Sequence, residues 1–424
     1  MIIYRILLLI APALLRIIAP FDAKLRRFRS LRIGEVERVR AAFRNRPDLP
    51  VLWFHAASAG EFEQAKPIIE SLNGTEAGKR YYIVASFFSP SGFDAGAKYP
   101  GVDFIFNLPL DSATNARALL DAIGPCAIIY AKYDVWINLT LEAHHRGVKL
   151  FLVSGTLPEK SLRHRFPMKY ILRSTYASLT GIYAISEADA RRYRAIAGPR
   201  CGEIESAGDT RFDRVRQVIE EHAKKPLEII ARENGLLYFL AGSTYAISES
   251  KLLEAYAAVH AQRIRLIMVP HEIDPKNIDR LAGLIASRGL QPIRYSQLAP
   301  PIAVDGDQVL IVDAFGVLAH LYRQADIVFV GGSFKGSVHS VLEPAVFGCP
   351  IITGPHICNA YEAITMAHNG IIALCPGMRE LAEALDRLAS DPAKREDIGR
   401  RTKAFFDDNT GATQIIVSKI AAHL

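Results

Sequence analysis

Residues 51–61 read VLWFHAASAGE, an apolar run that changes abruptly into small and polar residues. The first five positions, Val51–His55, have the bulky composition of a buried strand, and helical spacing of apolar residues begins at Phe62. A buried strand that leads at once into a helix is the repeating unit of a parallel, doubly wound sheet. The stretch therefore predicts an α/β fold, with a loop of chemical interest between strand and helix.

The same alternation of β-rich runs and amphipathic stretches continues through the chain of 424 residues, which is too long for one ordinary core. The further runs are Tyr81–Ser86, Ala127–Tyr130, Leu150–Val153, Gly181–Ile185, Leu236–Ala241, Arg265–Val269, Val309–Val312, Ile327–Val330 and Ile351–Thr353. A charged, strand-poor segment, Arg214–Glu233, separates the two sets. We expect two Rossmann-like domains, residues 23–222 and 223–424, that face each other across a cleft, with the terminal helices in the second domain.

The cysteines and the net charge narrow the class of protein. Five cysteines stand far apart without C-x-x-C spacing, which favours a reducing compartment over a disulfide framework or a zinc site. The formal charge of +7 is compatible with nucleic acid, an anionic lipid surface or a phosphorylated substrate. Because basic residues cluster next to an apolar N-terminus and lack interleaved aromatic residues, nucleic acid is the weakest of these options.

The N-terminus predicts a membrane anchor at residues 1–22. The uninterrupted apolar stretch between Arg5 and Arg16 is only Ile6–Leu15, short for a span of roughly 20 residues. A basic cluster suited to anionic headgroups follows directly, formed by Lys24, Arg26, Arg27, Arg29 and Arg32. We interpret the pair as a helix that lies in the membrane plane; a cleaved signal peptide and a buried first helix are the alternatives.

Two loops carry candidate chemistry, and each has a plain structural alternative. Glu61 at the start of a helix is placed to act as a general base, with the small residues Ser58 and Gly60 allowing a substrate close to the backbone. The pattern Ser58-x-x-Glu61 is equally a capping box. Gly332 and its neighbours, in the Gly-Gly-Ser motif of residues 331–333, predict an amide-lined anion pocket, with Glu343 placed for ribose hydroxyls. Ser340-x-x-Glu343 is again equally a capping box.

Three further positions follow strands in the second half of the chain. Ser243 and Thr244 offer hydroxyls or ordinary capping, and Pro270-His271 offers a nucleotide contact or a structural histidine. Asp305-Gly306-Asp307 precedes a strand, so we interpret it as a turn and not as a metal-binding acidic pair. We find no H-E-x-x-H, Walker loop or G-x-G-x-x-G, which argues against zinc proteases, P-loop kinases and simple dinucleotide oxidoreductases.

Taken in order, these loops resemble those of the Kdo (3-deoxy-manno-octulosonic acid) transferases over nearly the whole chain. The matching pieces are residues 55–61 (HAASAGE), 136–139 (WINL), 208–213 (GDTRFD), 243–244 (ST), 330–333 (VGGS), 343–345 (EPA) and 354–356 (GPH). The resemblance implies a GT-B fold whose N-terminal domain binds the lipid A precursor and whose C-terminal domain binds CMP-Kdo. It also implies transfer with inversion, without a metal or another cofactor, at the cytoplasmic face of a bacterial inner membrane.

The resemblance also implies roles for individual residues. Glu61 matches the family's catalytic base, and Arg211 takes the place of a lysine that stabilises the transition state. Lys132 stands where the family has a glutamate, which inverts a charge at the site. The donor-binding positions are Ser243, Thr244, Pro270, His271, Phe315, Gly316, Val317, Gly332, Ser333, His339, Ser340, Val341, Leu342 and Glu343. His271 and Ser340 depart from the family's arginine and asparagine.

Two other classes of function stay open at this point. One is a different GT-B enzyme, either a transferase of another sugar or a sugar-nucleotide epimerase. The other is a catalytically inactive GT-B scaffold at the membrane, against which Glu61 and Arg211 argue. The basic run from Lys160 to Lys169 is placed to meet acceptor phosphates, or is only a solvated helix face.

Overall fold

The computed structural model describes residue 4 and residues 17–74, 80–199, 201–259 and 263–424. The chain divides into two compact units. The first is Met1–Arg214 with Thr410–Leu424, and the second is Val215–Asn409. The boundary falls inside the helix Thr210–Ala223, eight residues before the predicted division at 222/223.

The first unit is built on a parallel sheet of seven strands in the order β3-β2-β1-β4-β5-β6-β7. The strands are β1 Val51–Ala56, β2 Tyr82–Phe87, β3 Phe104–Asn107, β4 Pro125–Ala131, β5 Lys149–Gly155, β6 Gly181–Ala184 and β7 Glu203–Ser206. The helices are Ala23–Ser30, Glu35–Phe43, Ala59–Asn73, Pro90–Ala97, Ala113–Ile123, Ile137–His145, Met168–Ala177, Glu187–Ala197 and Ala412–Ala421, and the helix Thr210–Ala223 begins in this unit and ends in the second. Helices cover both faces, so the central strands are almost wholly buried apolar runs.

The order of the strands fixes where a ligand fits. The chain builds β1, β2 and β3 outward to one edge and then returns to place β4 on the other side of β1. His55 of β1 pairs with Tyr130 of β4, so the loops after these two strands diverge from a common crevice. Such a switch point is the usual ligand site of an open α/β sheet.

The second unit repeats this plan with the order β10-β11-β9-β8-β12-β13-β14, and every strand pair is parallel. The strands are β8 Leu237–Thr244, β9 Ile264–Pro270, β10 Gln291–Arg294, β11 Gln308–Ile311, β12 Ile327–Val330, β13 Ile351–Thr353 and β14 Ile372–Leu374. The helices are Ala246–Ala258, Pro275–Ala286, Leu318–Gln324, Leu342–Ala345, Tyr361–His368, Met378–Ser390 and Pro392–Asp408. Its switch point lies between β8 and β12. Gly306 and Asp307 form the predicted turn before β11.

The last helix differs from expectation. Ala412–Ala421 belongs to the first unit, whereas the sequence predicted terminal helices in the second domain. Ile416 and Ile420 are fully buried in the apolar cluster beneath the helix Ala59–Asn73. Asp213 accepts hydrogen bonds from the backbone amides of Gly411, at 2.6 Å, and Thr413, at 2.7 Å. Apolar burial and this carboxylate together attach the helix to the first unit.

Most of the predicted membrane anchor, residues 1–22, lies outside the described residues. Among the residues that are described, no helix combines the length and the apolar character needed to cross a membrane. Three members of the predicted basic cluster have partners inside the protein, and the first of them, Arg26, donates to the Pro20 carbonyl at 2.6 Å. Arg27 pairs with Asp94 at 2.7 Å, and the Arg32 guanidinium lies 3.5 Å from the centroid of the Phe28 ring. Arg32 also donates to the Leu108 carbonyl at 3.0 Å, so its guanidinium is engaged within the protein.

Candidate active site

Glu61 lies in the first turn of the helix Ala59–Asn73 at the switch point of the first unit, and only 5% of it is exposed. Its Oε2 accepts the backbone amide of Ala57 at 2.7 Å, and Ser58 Oγ accepts the Glu61 amide at 3.4 Å. Half of the alternative capping box is therefore formed, but the carboxylate binds the amide of Ala57 instead of that of Ser58. Gly60 is exposed, and a Cβ there would contact nothing within 4 Å, which leaves open space next to the carboxylate.

The loop after β4 brings charged groups towards Glu61. Burial raises the pKa of Glu61, the negative charge of Asp134 adds to the effect, and the ammonium of Lys132 opposes it. Burial likewise raises the pKa of Asp134, which the Arg163 guanidinium, 3.9 Å away, partly offsets. Lys132 has a φ of +69°, an uncommon conformation for a residue with a side chain. Its amide donates to the Val153 carbonyl at 2.9 Å, which helps to hold that turn.

Arg211 is held by a buried carboxylate. Asp209 accepts from the Arg211 amide at 3.0 Å, from Nε at 2.9 Å and from Nη2 at 2.6 Å. Burial raises the pKa of Asp209, but the charge and hydrogen bonds of Arg211 outweigh burial and leave that pKa below its ordinary value. Gln64, one turn beyond Glu61, donates to the same carboxylate at 3.2 Å. The structure thus joins the predicted base and the predicted arginine through Gln64 and Asp209.

Thr210 attaches the same segment to the base-bearing helix. Its hydroxyl donates to the Gln64 carbonyl at 2.7 Å, so Ser154 is the donor in its 2.9 Å contact with Thr210 Oγ1. Ser154 is buried at the end of β5 with a φ of +48°. Three segments that are far apart in sequence therefore meet below Glu61.

His55 is a structural residue that the sequence analysis left without a role. The indole of Trp136 donates to His55 Nε2 at 2.7 Å, and since an indole nitrogen only donates, the ring proton lies on Nδ1. Nδ1 donates to Ser86 Oγ at 2.8 Å. Burial is complete and lowers the pKa of His55 to about 3, so the ring is neutral and serves to orient Trp136. In the sequence, the only signal for this contact was that His55 and Trp136 both belong to motifs that resemble the Kdo transferases, residues 55–61 and 136–139.

The loops that carry the predicted residues for binding the sugar donor follow four adjacent strands of the second unit, β11, β9, β8 and β12. Gly331, after β12, allows the closest approach, because a Cβ there would lie 2.0 Å from the Ser243 carbonyl oxygen. Gly332 has a φ of +91°, and its Cβ would lie 2.4 Å from the Ser337 carbonyl oxygen. Ser243 itself has a φ of +51°. Glycine is therefore required at the switch point for packing of the loops, whatever ligand they bind.

Two of the predicted donor-binding hydroxyls already have partners inside the protein. Thr244 donates to Glu249 at 3.0 Å, and both side chains are buried. The Thr353 hydroxyl donates to the Val330 carbonyl at 2.8 Å and also lies 3.1 Å from Ser333 Oγ, which accepts from it. At these positions the backbone, more than the hydroxyl, is available to a ligand.

Other predicted donor residues are grouped by their exposure. Phe315 is 83% exposed in the loop after β11, next to Gly316 with a φ of +81°. Pro270, Val317, Val341 and Leu342 are buried. Ser340 is exposed and does not cap the helix Leu342–Ala345, whose cap residue Val341 makes no side-chain hydrogen bond to the helix, so the alternative capping box is wrong there. Burial raises the pKa of Glu343.

His271 and His339 lie together in the second unit. Their ring centroids are 4.6 Å apart; the His339 ring stacks with Tyr245 at 5.6 Å, and the His271 ring is tilted against Tyr245 at 4.9 Å. His339 Nε2 lies 3.2 Å from the Tyr245 hydroxyl. Tyr245 was not among the predicted site residues, because its position after Ser243-Thr244 indicated only the start of a helix.

Comparison with known proteins shows that the chain is similar to glycosyltransferases. Residues 28–214 match the family described as 3-deoxy-D-manno-octulosonic-acid transferase (kdotransferase), and residues 308–405 match glycosyl transferases group 1. The 3-deoxy-D-manno-octulosonic acid transferase of Chlamydia muridarum is 27% identical, with 88% of this chain and 86% of that protein covered. The Haemophilus influenzae enzyme of the same name is 25% identical, with 88% and 87% covered.

Two further comparisons concern a longer protein and the fold. A bifunctional glycosyltransferase/methyltransferase of Fusobacterium nucleatum is 24% identical over 90% of this chain, but the match spans only 59% of that protein. The UDP-GlcNAc 2-epimerase of Neisseria meningitidis, solved with UDP-GlcNAc, superposes with a TM-score of 0.61 at 16% identity, covering 88% of this chain and 100% of that one. The chain therefore has a two-domain GT-B fold and is a glycosyltransferase whose residues 28–214 match the 3-deoxy-D-manno-octulosonic acid (Kdo) transferase family.

Proposed function

We propose that the protein transfers Kdo from CMP-Kdo to a lipid A precursor of the lipid IVA type during lipopolysaccharide synthesis. The transfer inverts the anomeric centre and uses no metal. The match of residues 28–214 to the Kdo transferase family and the names of the Chlamydia muridarum and Haemophilus influenzae relatives support the choice of sugar. The observation that carries the mechanism is the buried carboxylate of Glu61 at the switch point of the first unit.

Glu61 is suited to accept a proton. Burial raises the pKa of its carboxyl group and makes it a stronger base, while the Ala57 amide holds the ionised form in place. Since Oε2 accepts that amide, Oε1 takes the proton of the acceptor hydroxyl. The hydroxyl oxygen bonds to the anomeric carbon of Kdo as the bond from that carbon to the phosphate oxygen breaks, and CMP leaves with the electron pair.

Charge on the departing phosphate needs a cation, and the first unit offers two. Arg211 is fixed in direction by Asp209, with 32% of its side chain exposed. Lys132 lies on the loop after β4, close enough to influence the Glu61 carboxyl group. We assign leaving-group stabilisation to Arg211, assisted by Lys132, because preorganised charge lowers a barrier without reorganisation during the reaction.

We infer a location at the cytoplasmic face of a bacterial inner membrane, and the surface near residues 160–170 supports membrane binding. Leu162, Phe166 and Tyr170 are 69%, 84% and 66% exposed. Lys160 and Arg165 lie in the same segment, which combines apolar side chains with positive charge as peripheral membrane-binding segments do. The positive charge of this surface attracts both anionic inner-membrane lipids and the phosphates of the acceptor.

The test is transfer from CMP-Kdo, generated in the assay, to a lipid A precursor in detergent. Wild-type protein should transfer, and Glu61→Gln should reduce kcat by about 100-fold or more, the lower range for loss of a general base. Glu63→Gln is the matched control, because Glu63 is two residues further along the same helix and pairs with Lys66 and Arg214. Equal losses in the two variants would contradict the assignment of the base.

The substrate is tested separately from the base. Product should form with CMP-Kdo and not with UDP-GlcNAc, which the fold relative was solved with. Binding of CMP without transfer to the lipid would mean that the acceptor is wrong. Transfer of another sugar, or epimerisation of UDP-GlcNAc, would replace the proposal by one of the other GT-B activities.

A further inference from the structure

A lysine lies over the Tyr245 ring, which also contacts His271 and His339 in the second unit. The Lys335 ammonium lies 4.1 Å from the centroid of the Tyr245 ring, on the loop that follows β12. Lys335 is exposed, and its amide donates to the Gly332 carbonyl at 2.8 Å, so the turn Ser333–Lys335 presents it. An ammonium over an aromatic face is attracted by the ring and keeps its charge available to a ligand on the other side.

The surroundings of Lys335 are rich in positive or protonatable groups. Burial lowers the pKa of His339, and the neighbouring His271 and Lys335 lower it further, so His339 lies close to both groups. Glu272 is near enough to raise the pKa of Tyr245, after the larger effect of burial. Within the described ranges, however, no carboxylate forms an ion pair with Lys335.

The position of Tyr245, His271, His339 and Lys335 in the fold indicates which kind of ligand Lys335 contacts. Tyr245 follows β8, His271 follows β9, and both Lys335 and His339 follow β12, so the group gathers at the carboxyl ends of three adjacent strands. An anionic ligand at a switch point of this kind is attracted by the ammonium of Lys335. A nucleotide phosphate has the required charge and fits a lysine, which binds phosphate as a point charge.

We propose that Lys335 binds the phosphate of a nucleoside monophosphate group in the donor, and that Tyr245 is the positioning residue that holds the lysine. The proposal rests on the proposed function, which supplies CMP-Kdo as the donor. The Tyr245 ring restricts the long side chain of Lys335, so less conformational freedom is lost when phosphate binds. Neither residue was assigned a role by the sequence motifs.

Calorimetric titration with CMP and with cytidine separates the phosphate from the nucleoside. Lys335→Ala should weaken CMP binding by about 10-fold or more, the size of a charge-assisted hydrogen bond, and leave cytidine unchanged. Lys335→Arg should restore most of the affinity. The matched control is Lys251→Ala, which removes a lysine whose ammonium lies 5.6 Å from the Phe334 ring in the same unit. Equal CMP affinity of the Lys335→Ala and Lys251→Ala proteins would overturn the proposal.

Variants of Tyr245 test positioning apart from folding. Tyr245→Phe keeps the ring and should bind CMP like the wild type, whereas Tyr245→Leu should lose as much CMP affinity as Lys335→Ala with cytidine unchanged. Equal loss of CMP and cytidine in Tyr245→Leu would reduce the tyrosine to a packing role and overturn the positioning claim. If wild-type protein binds UMP or AMP instead of CMP, with the same dependence on Lys335, the inference stands and the proposed donor is wrong. If it binds none of the three nucleotides, the inference fails.

Discussion

Replacement of Asp209 by asparagine should weaken the first unit by a measurable and separable amount. The carboxylate is 7% exposed, and it accepts three hydrogen bonds from Arg211 and one from Gln64. Breaking a buried ion pair from one side costs about 3–5 kcal/mol. Because asparagine keeps one acceptor and Arg211 is 32% exposed, we expect the lower figure of about 2–3 kcal/mol.

Intrinsic fluorescence measures this loss in the right unit. The chain has two tryptophans, Trp53 and Trp136, and both lie in the first unit. Urea unfolding followed by tryptophan emission therefore reports on that unit alone. Asp209→Asn, Arg211→Gln and the double variant form a cycle, in which we expect a coupling of about 2 kcal/mol. A coupling below about 0.5 kcal/mol would refute the view that this pair holds Arg211 in place.

The pH dependence provides a second check on Asp209. Its pKa is lower in the folded protein than in an unfolded chain, so its stabilising effect is complete above the unfolded value of about 3.9 and disappears as pH falls through the folded value. The difference between wild type and Asp209→Asn should therefore be full at neutral pH and shrink in strong acid. A difference that grows below pH 4 would contradict the sign of the shift.

Three other substitutions test separate features. Gly60→Ala should leave stability unchanged or raised by up to about 1 kcal/mol, yet lower transfer, because its Cβ meets only the space reserved for substrate; unchanged kinetics would place the substrate elsewhere. Trp136→Phe should lower the free energy of unfolding in urea by about 1–3 kcal/mol, because it leaves His55 Nε2 buried without a hydrogen-bond donor. A decrease of less than about 0.5 kcal/mol would contradict this prediction. Lys132→Met should move the acid limb of the kcat/KM profile to higher pH, because the ammonium that lowers the pKa of Glu61 is gone; a move to lower pH would exclude that effect.

The inner strands of both sheets were predictable, and the edge strands were not. Each of the ten runs read from the sequence corresponds to a strand, because a strand covered on both faces is a continuous apolar run. The four strands that were missed are β3, β7, β10 and β14, the two edges of each sheet. In β7 no residue is fully buried, so no apolar pattern announces the strand.

The candidate site shows a similar division. The place of Glu61 at a helix start was predictable because strand, small residues and helix start are contiguous in sequence. Its connection to Arg211 was not, because Gln64 and Asp209 are separated by 145 positions and meet only in the folded chain. Tyr245 and Lys335 were missed for the same reason, since their contact joins two different loops. Local pattern predicts single positions, whereas pairings across the sheet depend on topology.

The placement of the helix Ala412–Ala421 affects how the protein is made. During synthesis the residues of the first sheet leave the ribosome early, but the helix that covers Ile68 and Ile69 follows only after all of Val215–Asn409 has been translated. Domains generally fold as units, the N-terminal one first. Here the first unit cannot be completed until the helix Ala412–Ala421 has been synthesised. Its apolar face therefore remains exposed, and can bind chaperones or aggregate, while the inserted unit is translated and folds.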